Sequence, residues 1–185
     1  MKIWIVGVLF VLSVSTFLGG STQSDWEKRL TERLSEFQSC QDQKDENSPC
    51  NRFVGRALSD VYGIDDFKDP GKPGEYISAN LIEAYVVTHN DLWVLLGDAG
   101  DQKVLNEATA DANQGHAVIA VEQGKGHGHV ALVLPGAQTY SSNWKLQVPS
   151  SAAFFLGNPK EAYVKDKLSK AFSTPSGVRI FAHEK

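Results

Sequence analysis

The chain has 185 residues, 42% of them apolar and 22% charged, which suits one globular domain with a hydrophobic core of its own. Against 22 Asp+Glu stand 18 Lys+Arg, a formal charge of −4 without a basic stripe, so nucleic acid is not an expected partner. There is no internal repeat and no low-complexity tract.

Residues 1–21 read as a targeting segment. Lys2 supplies the positive start, Ile3 to Leu18 is a nearly unbroken apolar run, and Gly19-Gly20-Ser21 are small residues suited to cleavage. The run is somewhat short for a membrane span, so a cleaved secretory signal is expected, leaving one domain over residues 22–185. Removal of the segment takes away Lys2 alone, so the mature charge is 17 − 22 = −5. An uncleaved N-terminal anchor is the alternative. Secretion or a periplasmic location follows, and with it an oxidising environment for the two cysteines, Cys40 and Cys50.

Ser24-Asp25-Trp26-Glu27 has the form of a capping box, and Trp26, Leu30, Leu34 and Phe37 recur at helical spacing, so a helix is predicted from about Asp25 to Ser39. Gln41 to Asn47 is a polar loop. Ser48-Pro49 then opens a second helix, with Cys50 in its first turn and Phe53, Val54, Ala57, Leu58 and Val61 along one apolar face; Tyr62-Gly63 stops it. Asp69 to Gly74 reads as a surface loop. A helix capped by Ser78 carries Leu81, Ile82, Tyr85 and Val86, a short apolar run spans Leu92 to Leu96, and Asp101 caps a helix from Gln102 to about Asn113.

Strand-like runs follow. His116 to Glu122 and His129 to Leu134 flank Gln123-Gly124-Lys125-Gly126-His127-Gly128 and predict a hairpin, ended at Pro135-Gly136. Trp144 to Val148 alternates as a further strand. Asn158-Pro159 is expected to open a helix through Tyr163, Val164, Leu168 and Phe172, and Val178 to Ala182 a closing strand. Helices first and strands later predict an α+β fold, with N-terminal helices on an antiparallel sheet.

Cys50 is the residue to which chemistry points. A thiol in the first turn of a helix lies in the positive end of the helix dipole, which favours the nucleophilic thiolate. A thiol hydrolase also needs a histidine to carry the proton and a polar group to orient it. His129 opens a strand directly after small residues, and alternation puts it on one face with Ala131 and Val133. Asn143, on the approach to the next strand, is the favoured orienting residue, with Gln138, Tyr140, Ser141 and Ser142 as weaker candidates.

Ser-Pro-Cys-Asn-Arg-Phe-Val at residues 48–54, followed far downstream by Gly-His-Val-Ala-Leu-Val at residues 128–133, resembles the CHAP family of cysteine- and histidine-dependent amidohydrolases/peptidases. It is also similar to the NlpC-type cell-wall hydrolases, likewise papain-like. Gly115 to Val121 looks like the strand that these families place before the histidine strand. The resemblance covers about residues 48–148, with a long middle that does not align. It departs from the NlpC-type pattern at Pro49 and at Asn51-Arg52, where those proteins have Asp and Ser-Gly. It implies a papain-like fold and a cysteine amidase or endopeptidase that cleaves amide bonds of peptidoglycan through a thioester acyl-enzyme. Catalytic residues would be Cys50 and His129, with Asn143 as the third member, and no cofactor or metal is required. Peptidoglycan peptide is the implied partner, and a cognate inhibitor or immunity protein fits the same reading.

Two other readings compete. Two cysteines in an exported chain commonly pair, and a Cys40–Cys50 disulfide would make this a stapled, non-catalytic binding or inhibitor protein. His116, His127 and His129 offer imidazoles for a zinc hydrolase, although no carboxylate or cysteine lies at convincing ligand spacing.

Overall fold

The computed structural model describes residues 22–40, 53–124 and 128–184. The proposed targeting segment, Cys50 with its Ser48-Pro49 helix start, and His127 all lie outside the described residues.

Within them the chain is α+β. Helices α1 (Thr22–Ser39), α2 (Phe53–Tyr62), α3 (Ala79–Thr88), α4 (Gln102–Asn113) and α5 (Leu168–Ala171) accompany strands β1 (Trp93–Asp98), β2 (Val118–Glu122), β3 (His129–Ser141), β4 (Leu146–Ala153), β5 (Tyr163–Lys167) and β6 (Val178–His183). The strands form one six-stranded sheet in the order β1-β6-β2-β3-β4-β5, every neighbouring pair antiparallel.

Strand alternation divides the core in two. Ile119, Val121, Val130, Leu132 and Phe181 face one way, where Leu30 and Phe37 of α1, Phe53, Ala57 and Leu58 of α2, and Ile82 and Val86 of α3 cover them. Val118, Ala120, Ala131, Val133 and Ile180 face the other way, under Val104, Leu105, Ala108 and Ala112 of α4 and Leu168 of α5. On the first face an aromatic trio ties three elements together: Phe37, Phe53 and Phe154 lie with ring centroids 5.2 to 5.7 Å apart.

Several elements follow local chemistry as expected. The Trp26–Phe37 stripe makes α1, Gly63 takes φ +71 after α2 and donates its N–H to the Ser59 carbonyl, and the Asp101 carboxylate accepts from the Lys103 N–H to start α4.

Two expectations are corrected. The strand from His129 does not end at Pro135-Gly136. It continues to Ser141 through a register shift against β4 between Leu134 and Thr139, a bulge that tolerates proline's missing N–H. The Asn113 side chain clasps Gly136 across this bulge, accepting its N–H at 2.7 Å. The expected helix from Asn158 through Phe172 is instead a 3-10 turn at Pro159–Glu161, then β5, then the short α5. Tyr163 is drawn into the sheet because its hydroxyl meets the buried Ser151 Oγ at 2.8 Å, a bond that helical spacing could not supply. The strand expected at Val178 to Ala182 is present as β6, and it lies between β1 and β2.

Candidate active site

Gly128 and His129 stand at the head of β3, where the glycine-rich turn re-enters the sheet. Gly128 has to be glycine: a Cβ there would come 2.9 Å from the Glu122 carbonyl oxygen and would collide with the Asn80 carboxamide. That close approach sets the first turn of α3 against the head of β3. The first turn of α2 closes the third side, and it too depends on a glycine, because a Cβ on Gly55 would meet the Tyr76 ring at 2.9 Å.

Between these three elements lies a pocket of ≈ 50 Å³. Val54 and Gly55 of α2 line it, with Ile77, Ala79 and Ile82 from α3 and its approach. Gly128, His129 and Val130 form the β3 wall, and Phe154 and Leu156, just past β4, complete it. The structure therefore brings the α2 N-terminal turn and His129 to one cavity.

The His129 ring itself packs toward the α4/α5 side. It stacks on Phe155 at 4.8 Å with planes 10° apart and meets Phe172 edge-on at 5.2 Å. This is the face of Ala131 and Val133, and α2 covers the opposite one. Only because His129 is the first residue of its strand does it also reach the pocket. Its Nε2 is shielded from solvent and has no hydrogen-bond partner among the described residues. Burial among these aromatic groups disfavours the charged form and pulls the imidazole down to about 4, so it is neutral at pH 7.

Asn143 is not brought to this site. It is exposed in the turn after β3, whereas His129 begins that strand, so the two are separated by about 35 to 40 Å of extended chain. The other candidates share this far end: Gln138 donates to the Leu105 carbonyl and to Thr109 Oγ1, and the buried Ser141 hydroxyl accepts from the Trp144 N–H. The register instead places Glu122 directly across from His129, on the same sheet face. That pairing was readable only with the hairpin turn length known. Asn80, Tyr76, Phe155 and Phe172 also belong to the site region and carried no motif.

His116 precedes β2 at the end away from His129, about 20 Å along the strand direction. Among the described residues no group of three His, Cys, Asp or Glu side chains could hold a metal ion.

Cys40, directly after α1, is disulfide-bonded. The sequence holds one other cysteine, Cys50. No helix among the described residues is long and apolar enough to cross a membrane. No known protein family and no curated protein matches this chain.

Proposed function

We propose that the protein is an exported, papain-like cysteine hydrolase that cleaves amide bonds in peptidoglycan, with Cys50 as nucleophile and His129 as its proton carrier. The observation that supports this most is the single pocket shared by the first turn of α2 and by Gly128-His129. In the sequence Cys50 is three residues upstream of Phe53, where α2 begins among the described residues.

In this mechanism neutral His129 takes the proton from the Cys50 thiol. The thiolate attacks the amide carbonyl carbon and forms a C–S bond. The tetrahedral oxyanion is held by backbone N–H groups near Cys50, the amide C–N bond breaks, and the imidazolium gives its proton to the departing amine. Water, deprotonated by His129, then hydrolyses the thioester and restores the thiol. Cys50 and His129 act as a dyad here, without Asn143. Because the thiol has to be free, the reading requires the cysteines to be reduced, and a reductant is part of the assay.

Replacing Cys50 with Ala in the reduced mature protein is expected to lower release of new amino groups from purified peptidoglycan by at least a thousandfold; hydrolysis at the parent rate would falsify the proposal.

The disulfide-bonded state of Cys40 favours a second reading, a stapled binding or inhibitor protein without catalysis. On that reading reduction lowers the melting temperature, as loss of a loop-closing crosslink does, and no redox state hydrolyses the wall.

A further inference from the structure

We infer that the disulfide at Cys40 is a reversible lock on the hydrolase: it keeps the Cys50 sulfur out of reaction until a dithiol reductant opens it. The inference rests on the hydrolase reading above and adds its regulation.

The supply of sulfur is the first argument. Cys40 is disulfide-bonded, and the sequence holds one other cysteine to bond it. With both sulfurs in one bond the oxidised chain has no thiol to deprotonate, and therefore no nucleophile.

Redundancy is the second. Helices α1 and α2 are held together without the crosslink. Phe37, three residues before Cys40, meets Phe53, three residues after Cys50, edge-on with ring centroids 5.2 Å apart. Phe154 braces both rings. Arg56 of α2 pairs with Glu36 of α1 at 3.1 Å, and Arg29 of α1 donates to the Asp60 carbonyl at 2.5 Å. Leu30, Ala57 and Leu58 are buried in the layer that these helices share. Packing, not the sulfur bond, thus sets Val54 and Gly55 against the pocket, and reduction frees a thiol while that wall stays in place.

Reversibility is the third. Residues 41–49 are all that separate the two cysteines in sequence, and the chain is anchored at Phe37 on one side and at Phe53 on the other. Reoxidation is then the closing of a short loop between fixed ends, an intramolecular step with a high effective concentration of one thiol about the other.

Opening is thiol–disulfide exchange. A thiolate of the dithiol attacks one sulfur of the bond, and the other leaves as a thiolate and takes a proton from water. The second thiol of the reductant then resolves the mixed disulfide. Two electrons pass to the protein, the dithiol ends as a disulfide, and closing is the reverse.

The test is a series of buffers with varied ratios of reduced to oxidised dithiothreitol. In each, the mature protein is assayed for release of amino groups from purified peptidoglycan, while alkylation and intact mass report the state of the cysteine pair. Parent activity is expected to rise at least a hundredfold from the oxidised to the reduced end, in step with the fraction of chains carrying two thiols, and to fall again when the ratio is returned. Cys40→Ser, with Cys40→Ala as a second variant, is expected to stay within threefold of the reduced parent across the whole series. If both variants are inactive while the reduced parent is active, Cys40 is needed to shape the site, and the lock is overturned with the hydrolase left standing. A pair that does not close again once opened overturns it in the same way. If the reduced parent and both variants leave peptidoglycan untouched, the hydrolase reading fails and the lock with it. Hydrolysis by chains whose bond is intact would remove Cys50 as nucleophile and the lock together.

Discussion

The two faces of the sheet are built to different standards of polar satisfaction. On the α4/α5 face nearly every buried polar group is answered. Gln138 bonds to the Leu105 carbonyl at 2.9 Å, Gln102 brackets the backbone of Gln147 at 2.8 and 2.9 Å, and the Trp144 indole N–H reaches the Phe172 carbonyl at 3.3 Å. On the α1–α3 face the Trp26 indole N–H and one oxygen of Glu83 are buried without a partner among the described residues, although Glu83's other oxygen pairs with Arg179. Glu83 is only 4% exposed. Each such group costs about 1 to 3 kcal/mol, and folds retain such costs mainly where something else is gained. Among the described residues the α4/α5 face has one such group, His129 Nε2, at its boundary with the pocket.

The largest expected effect is on the α4/α5 face. Leu105 of α4 is 0% exposed, so Leu105→Ala is expected to destabilise by about 2 to 5 kcal/mol in urea unfolding, with the proposed peptidoglycan hydrolysis by the remaining folded fraction unchanged per molecule. Loss of activity out of proportion to folded protein would erase the contrast between faces.

Next is the boundary between them, at His129. Its native pKa lies near 4 and its unfolded value near 6.5, so between those values the unfolded chain binds a proton that the native state refuses. The stability this group contributes is complete above pH 6.5 and is lost as pH falls through 4. Over that window the parent is expected to lose about 2 to 3 kcal/mol more than His129→Phe, which places a third ring beside Phe155 and Phe172. Matched melting curves at pH 7.5 and 4.5 decide it, and parallel curves would mean that the imidazole is already charged in the native state.

The smallest change acts on the α1–α3 face alone. Gly128→Ala forces a methyl group against Asn80 and the Glu122 carbonyl and is expected to cost about 1 to 3 kcal/mol. Activity should fall further than stability, because the shift displaces α3 from the pocket. Equal losses in both would assign Gly128 to packing and nothing more.

The sequence made much of this architecture legible. Periodicity placed α1, α3 and α4, the last with its Asp101 cap, and alternation with a glycine-rich turn predicted the β2–β3 hairpin, because these depend on near neighbours; α1 begins at Thr22, ahead of the Ser24 capping box, and Ser78 precedes α3 without a side-chain cap bond. Pro135-Gly136 looked like a strand end because the bulge that accommodates it depends on Asn113 and on β4, both distant in sequence. Tyr163 and Val164 fitted a helical stripe as well as a strand, and only the Ser151 hydroxyl decides between them. Asn143 was chosen by adjacency of strands, on the assumption that the chain returns at once. A β3 of 13 residues carries the turn to the far end of the sheet instead. The opposite-face packing of the His129 ring was within reach of the alternation, which grouped it with Ala131 and Val133; what alternation cannot say is which helices cover which face.

The position of β6 bears on how such a protein is made. Its residues pair with β1 on one side and β2 on the other, so the middle of the sheet is filled by a strand that follows the other five in sequence. Until Val178–His183 arrives, β1 and β2 present open edges, and the layer under α2 and α3 lacks Phe181. A nonsense codon even a few residues before Val178 therefore yields material with two bare strand edges, a substrate for quality-control proteases.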